Sequence, residues 1–208
     1  GYTQNADVFS KKTSALRRSC EEFGDFVYVS APHSAIPSND SGLYTPQATS
    51  DSLRVWYFTK TEENVVYDKL DESLEFLKDV LNTEGPFDGI IGFSQGAALA
   101  GILSGLLEHR EGSIFQTCTQ PAFRFGVFFG GYKSALPEHG SLFNPPLKCP
   151  SLHVIGLYDA VISKERSEEL SKCFQSSTVL YHEGGHFVPA SPGIKKDCVK
   201  FLRQFSEL

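Results

Sequence analysis

Asp88-Gly89-Ile90-Ile91-Gly92-Phe93-Ser94-Gln95-Gly96-Ala97-Ala98-Leu99-Ala100 is the stretch that decides how this chain folds. Its first half is short, apolar and β-branched, the composition of a strand buried on both faces. Its second half is a run of small and aliphatic residues continuing to Leu107, which predicts an almost wholly apolar helix. Between them lies Gly92-x-Ser94-x-Gly96. The five-residue pattern alone arises by chance in about one sequence in fifteen of this length. Its position between a buried strand and a small-residue helix makes it specific, because a serine there sits on a sharp turn that lifts its hydroxyl above the sheet edge. Flanking glycines let neighbouring backbone approach without a Cβ in the way. The amide of Gln95, opening the helix, points into the same space and can hold an oxyanion. The competing reading is a glycine-rich turn in which Ser94 merely caps the helix.

Working outward, the same alternation recurs. Phe125–Phe129, Ser151–Gly156 and 178–182 read as further strands, with helices over 164–173 and 194–205. Upstream, 7–23 reads as a helix with Asp7 as N-cap, Phe26–Ser30 as a strand and 64–83 as a helix whose stripe is Val66, Leu70, Leu74, Leu77 and Leu81. Residues 32–53, rich in Pro, Ser, Asn, Asp and Gly, read as a long loop, either a functional lid or binding loop or else a mobile one. Strands alternating with helices predict an α/β chain with a mostly parallel sheet covered on both faces, its ligand site beyond the carboxyl ends of the strands.

A serine hydroxyl needs a base, and the usual one is a histidine oriented by a carboxylate. Six histidines compete. His186 is favoured because Glu183-Gly184-Gly185-His186-Phe187-Val188-Pro189 falls just after the last strand, with the glycines supplying the turn and Phe187 available to pack the imidazole. His153 alternates inside a buried strand and reads as a core residue. His182 lies within the last strand, and His33, His109 and His139 fall in loops or at a helix end. Asp159, just past the strand Ser151–Gly156, is the expected orienting acid, in the chain order Ser, Asp, His. The alternative for Asp159 is capping the following helix. Asp88 is the rival acid, at the wrong edge of the sheet.

The 208 residues carry 19 Lys and Arg against 25 Asp and Glu, a net charge of −6. That length fits one domain, taken here as 1–208. An acidic chain with no basic stripe argues against nucleic acid and anionic membrane surfaces, and no apolar run reaches the length of a membrane span. Cys20, Cys118, Cys149, Cys173 and Cys198 are odd in number and show no CxxC spacing. A disulfide framework and a structural zinc site are therefore not expected, and a reducing compartment is: the cytoplasm, with the nucleus also open.

Asp88–Ala100, VFFGGY (127–132), GLYDAVI (156–162) and EGGHFVP (183–189) together resemble the fungal and animal family of serine hydrolases. This is a compact branch of the α/β-hydrolases, related to acyl-protein thioesterases and small carboxylesterases. The resemblance runs the length of the chain. It implies an α/β-hydrolase fold and hydrolysis of carboxylic esters or acyl thioesters without metal or organic cofactor, with Ser94 as nucleophile, Asp159 as acid and His186 as base. It also implies a second oxyanion amide on Tyr2, since Gly1-Tyr2-Thr3-Gln4-Asn5 is similar to the tail of the family's His-Gly segment. The apolar first strand and the histidine that precede that segment in the family are missing ahead of Gly1, so the chain is expected to be a trimmed view of a longer protein.

The expected substrate is a small-molecule ester or acyl thioester. Trp56, Tyr57 and Phe58, with Val161, Ile162 and Phe187 beside the reacting groups, are the candidate acyl groove, against the alternative that the aromatic patch is ordinary core. Two other readings stay open: a catalytically silent binding protein of the same fold, and a carbon–carbon bond hydrolase or lyase on the same three residues.

Overall fold

A computed structural model describes residues 1–35, 53–61 and 64–206. The expected loop 32–53 falls largely outside the described residues. The centre is a four-stranded parallel sheet of β5 (Gly89–Phe93), β6 (Phe125–Phe129), β7 (Ser151–Gly156) and β8 (Ser177–His182), hydrogen-bonded in that order. Ile91 lies opposite Val127, Val127 opposite Leu152, and Gly156 opposite His182. Three of these strands match the sequence reading residue for residue, and the fourth begins one residue earlier than expected.

Alternation along β6 explains why both faces must be covered. Val127 and Phe129 point into one apolar cluster, shared with Leu16 and Cys20 of α2 (Ser14–Cys20) and Ile194, Cys198, Phe201 and Leu202 of α6 (Pro192–Arg203). Phe128 points the other way, among side chains of α3 (Leu70–Glu84), α4 (Gln95–Glu108) and α5 (Lys164–Ser171). Burying aliphatic and aromatic side chains on both faces contributes about 1.5–3 kcal/mol for each fully buried one. Gly131 marks how closely helix and sheet approach: a Cβ there would stand 2.8 Å from the Cβ of Ala97 and 2.9 Å from Leu170.

The chain departs from its sequence reading at the periphery. The helix expected over 64–83 starts only at Leu70. Val65–Asp68 is instead a strand (β4), paired antiparallel with Phe58–Thr61 (β3), just as the shorter His33–Ser34 (β1) pairs with Arg54–Val55 (β2). The Val65-Val66-Tyr67 run is β-branched and aromatic, and strand pairing buries Tyr67 while leaving Val66 half exposed. Lys69, with φ of 70°, turns the chain from strand into helix.

The helix expected over 7–23 is broken in two, α1 (Ala6–Lys12) and α2, at Thr13, whose hydroxyl bonds the Phe9 carbonyl and the Tyr28 hydroxyl. Asn5, not Asp7, is the N-cap, its Oδ1 accepting from the Val8 amide. Phe26–Ser30 forms no strand ladder among the described residues. It is held by side chains instead, through Tyr28 against Phe9 and the Ser30 hydroxyl accepting from Ala6.

Candidate active site

The elbow between β5 and α4 is built as its glycines require. Ser94 has φ of 55° and ψ of −123°, a conformation costing about 1–3 kcal/mol for a residue with a side chain. It is held by the Ser94 amide donating to the Phe129 carbonyl at 2.9 Å and by its own carbonyl accepting from Ala97 and Ala98. Gly92 is there because a Cβ would lie 2.5 Å from the Ala97 Cα and from the Gly96 carbonyl. Gly96 is different: a Cβ there would meet the Trp56 indole Nε1 at 3.7 Å, an ordinary contact.

The Ser94 side chain caps nothing. Its Oγ lies 2.8 Å from His186 Nε2, and His186 Nδ1 lies 2.6 Å from Asp159 Oδ2. The other carboxylate oxygen of Asp159 accepts from the amides of Val161 and Ile162, both at 2.8 Å. The carboxylate is thus held by three donors and almost sealed, with 2% side-chain exposure. Capping of α5, the alternative role for Asp159, falls to Ser163. Asp88 is at the far end of β5, paired with Arg124 at 2.7 Å.

Two loops bring His186 and Asp159 together. At the end of β7 a Cβ on Gly156 would collide with the carbonyls of Gly184 and Gly185, so the loop carrying His186 crosses that strand end at backbone contact distance. Gly130, with φ of 49°, leaves room on the opposite side: a Cβ there would stand 3.3 Å from the His186 ring and 3.4 Å from Asp159 Oδ2. The imidazole packs against Phe93, at 4.8 Å between centroids. Phe187, expected to do this, packs on His182 instead, its ring 5.2 Å away, and is half exposed. The core role read for His153 holds: it is buried beside Phe128, with its Nε2 at 3.0 Å from the Ser151 hydroxyl, and burial pulls its pKa down to about 3.

The remaining candidate residues divide by depth. Tyr57 lies fully buried, stacked on Tyr67 at 4.4 Å with its hydroxyl 2.8 Å from that of Tyr132, so it belongs to the core behind the site. Phe58 opens β3, partly buried. Trp56 lies over Gly96 at the elbow. Ile162 is buried against Ala98 and Tyr132, whereas Val161 is exposed at the rim. Tyr2 is half exposed in a turn closed by the Gln4 amide on the Gly1 carbonyl, and Gly1 touches Phe93.

The strand-to-helix pattern points to the backbone amide of Gln95 and carries no signal for its side chain. Buried behind the elbow, that side chain accepts from the Trp56 amide at 3.0 Å and donates to the Tyr57 carbonyl at 2.8 Å. Ser73 completes the fastening by donating to the Trp56 carbonyl. Only the apolar run around Trp56 hinted at this segment, and nothing in it announced partners 38 and 39 residues away. Among the described residues, no group of three or more His, Cys, Asp or Glu could hold a metal ion.

A profile of the family described as "Serine hydrolase (FSH1)" matches residues 1–198. The chain belongs to that family. It is 37% identical over 220 residues to "Esterase OVCA2" of Danio rerio, covering 99% of this chain and 94% of that relative. It is 31% identical over 210 residues to "Esterase CG5412" of Drosophila melanogaster, covering 98% of this chain and 71% of the relative. Among solved structures, Arabidopsis thaliana SOBER1 superposes with a TM-score of 0.66 at 17% identity, covering 98% and 94% of the two chains. Zea mays acyl-protein thioesterase 2 superposes at 0.53 and 20% identity, over 73% and 72%. The fold is that of the α/β-hydrolases, and the serine hydrolase family member is a hydrolase of the esterase kind.

Proposed function

We propose that the chain hydrolyses carboxylic esters or acyl thioesters of small molecules through a Ser94–His186–Asp159 triad and an acyl-enzyme intermediate. The observation that carries this reading is the single imidazole bridging a serine hydroxyl at 2.8 Å and a sealed carboxylate at 2.6 Å. With Nδ1–H donated to Asp159, the lone pair of Nε2 faces Ser94 Oγ and takes its proton as the oxygen attacks the carbonyl. The tetrahedral oxyanion is held by the Gln95 amide, one of the helix-opening N–H groups that have no intrahelical acceptor, and by the Tyr2 amide. His186 then protonates the leaving alkoxide or thiolate. A water deprotonated by the same ring releases the acid.

Asp159 fixes the tautomer and stabilises the imidazolium. Trp56 at the elbow and Val161 and Phe187 at the rim offer apolar surface to an acyl chain, with Ile162 behind them. The relatives called esterases support the reaction class. Among the described residues no helix is long and apolar enough to cross a membrane. All five cysteines are free and buried, which favours a reducing compartment such as the cytoplasm.

The test is labelling with a fluorophosphonate probe, followed by peptide mapping and ester turnover of Ser94→Ala. Modification is expected at Ser94, and turnover of short and medium acyl esters is expected to fall by at least about a thousandfold. Labelling elsewhere, or turnover that survives the substitution, removes the assignment.

A further inference from the structure

We propose that Arg166 reads an anionic group, a carboxylate or a phosphate, carried by the substrate away from its scissile carbonyl. This rests on the reading of Ser94 as nucleophile. Three separate links place Tyr132 beside the reacting groups. Gly130, two residues before it, is where a Cβ would touch both His186 and Asp159. Ala98, one helical turn beyond Ser94, packs with Tyr132 in a small buried cluster. The third member, Ile162, has its amide bonded to Asp159.

Over the Tyr132 ring stands the guanidinium of Arg166, its central carbon 4.8 Å from the ring centroid. Its position is fixed from below. Ser167, the next residue, is buried and donates to the Gly131 carbonyl at 2.7 Å, which docks α5 against the segment bearing Tyr132.

Among the described residues no carboxylate accounts for a cation there. Arg166 lies in the first turn of α5, where the helix dipole opposes positive charge. Among the described residues none of the carboxylates of α5 pairs with it. Glu168 takes the Tyr181 hydroxyl and Lys164, and Glu169 faces a depression lined by Lys133, Phe143, Lys172 and Cys173. Among the described residues Arg166 makes no ion pair and no hydrogen bond from its guanidinium. Arginine presents five donors in a planar fork, and a ring beneath it holds that fork without using any of them. The result is an exposed but oriented cation at the edge of an otherwise acidic molecule, one residue cluster away from the nucleophile.

The experiment compares kcat/KM on matched substrates differing only in the distal charge. One arm uses methyl half-esters of adipic and suberic acids against methyl hexanoate and octanoate. The other uses acetyl thioesters of phosphopantetheine against those of pantetheine. The wild-type chain is expected to favour the charged member of at least one pair, and which pair it is identifies the source of the anion. Arg166→Gln should lower the charged-to-neutral ratio about tenfold, equivalent to 1.4 kcal/mol. Arg166→Lys should retain part of it, and added salt should erode it.

A ratio unmoved by Arg166→Gln in both arms overturns the inference while leaving ester hydrolysis by Ser94 intact. Absent turnover of every neutral ester refutes the hydrolase reading instead. Calorimetric titration of Ser94→Ala with the same half-esters and thioesters then decides about Arg166 without any turnover. Binding abolished by Arg166→Gln supports recognition, and binding indifferent to it rejects recognition.

Discussion

Replacing Asp159 by asparagine tests the proposed mechanism most sharply, because the structure dictates which way the new amide must face. In the native site one carboxylate oxygen accepts from two backbone amides, Val161 and Ile162, and the other meets His186 Nδ1. An asparagine keeps its turn only if its carbonyl oxygen takes the first position, since an NH2 aimed at two N–H groups would leave three donors facing one another. The NH2 is thereby forced toward Nδ1. The imidazole must then accept at Nδ1 and carry its proton on Nε2, so that Nε2–H points at Ser94 Oγ and can no longer remove its proton.

The fold is preserved and the tautomer is wrong. The loss expected for a misoriented base of this kind is about ten-thousandfold in kcat, or about 5.4 kcal/mol of transition-state stabilisation. Steady-state hydrolysis of 4-nitrophenyl butyrate and the rate of fluorophosphonate labelling should fall together, with circular dichroism and melting temperature near wild type. Activity within tenfold of wild type in a folded Asp159→Asn protein would refute the reasoning, because the carboxylate would then not be setting the proton on His186.

Two further perturbations probe the support around the site. His153 is held neutral, its pKa lowered by burial to about 3 from an ordinary 6.5, so between those values the unfolded chain binds a proton that the folded chain refuses. Stability should therefore rise with pH across that window, by up to about 1.4 kcal/mol per unit, and be lost on acidification. Urea midpoints measured from neutral pH down toward pH 4 should show a shallower acid limb in His153→Gln, and an unchanged limb would assign acid sensitivity to other groups. Gln95→Met keeps the side-chain volume but strands the Trp56 amide and the Tyr57 carbonyl, an expected cost of at least about 2 kcal/mol. That corresponds to a fall in melting temperature of about 4–8 °C for a chain of this size. A melting temperature equal to wild type would show that the two hydrogen bonds hold nothing in place.

The parts of the fold legible in the sequence are those whose neighbours leave them no choice. Gly89–Phe93, Phe125–Phe129 and Ser151–Gly156 are apolar on both sides because both sides are covered, and a short β-branched run with those flanks has one reading. The meeting of Ser94, Asp159 and His186 at one end of the sheet is legible for a related reason: each follows a strand end where backbone geometry demands glycine nearby, and those glycines punctuate the sequence.

The peripheral errors come from patterns that two structures satisfy equally. Val66 stands four residues before Leu70 and so continues a helical stripe on paper. The pairing of Val65–Asp68 with Phe58–Thr61 is a contact no local period reports. Phe26–Ser30 has strand composition, yet composition does not supply a partner strand. The imidazole's packing partner was misjudged for the same reason, since Phe93, remote in sequence, outcompetes the adjacent Phe187. Long-range side-chain pairing is invisible to periodicity, and the Gln95 bonds to the Trp56 segment belong to that class.

Those bonds tie two tasks to a single residue. The backbone of Gln95 is the proposed cradle for the developing negative charge, and its side chain is the fastener for the strip of chain beside the proposed acyl path. Remodelling that strip to accept bulkier or slimmer acids will therefore be felt in reaction rate as well as in selectivity. Grafting residues 54–58 from a relative without its matching glutamine contacts should yield enzymes that are slow before they are selective.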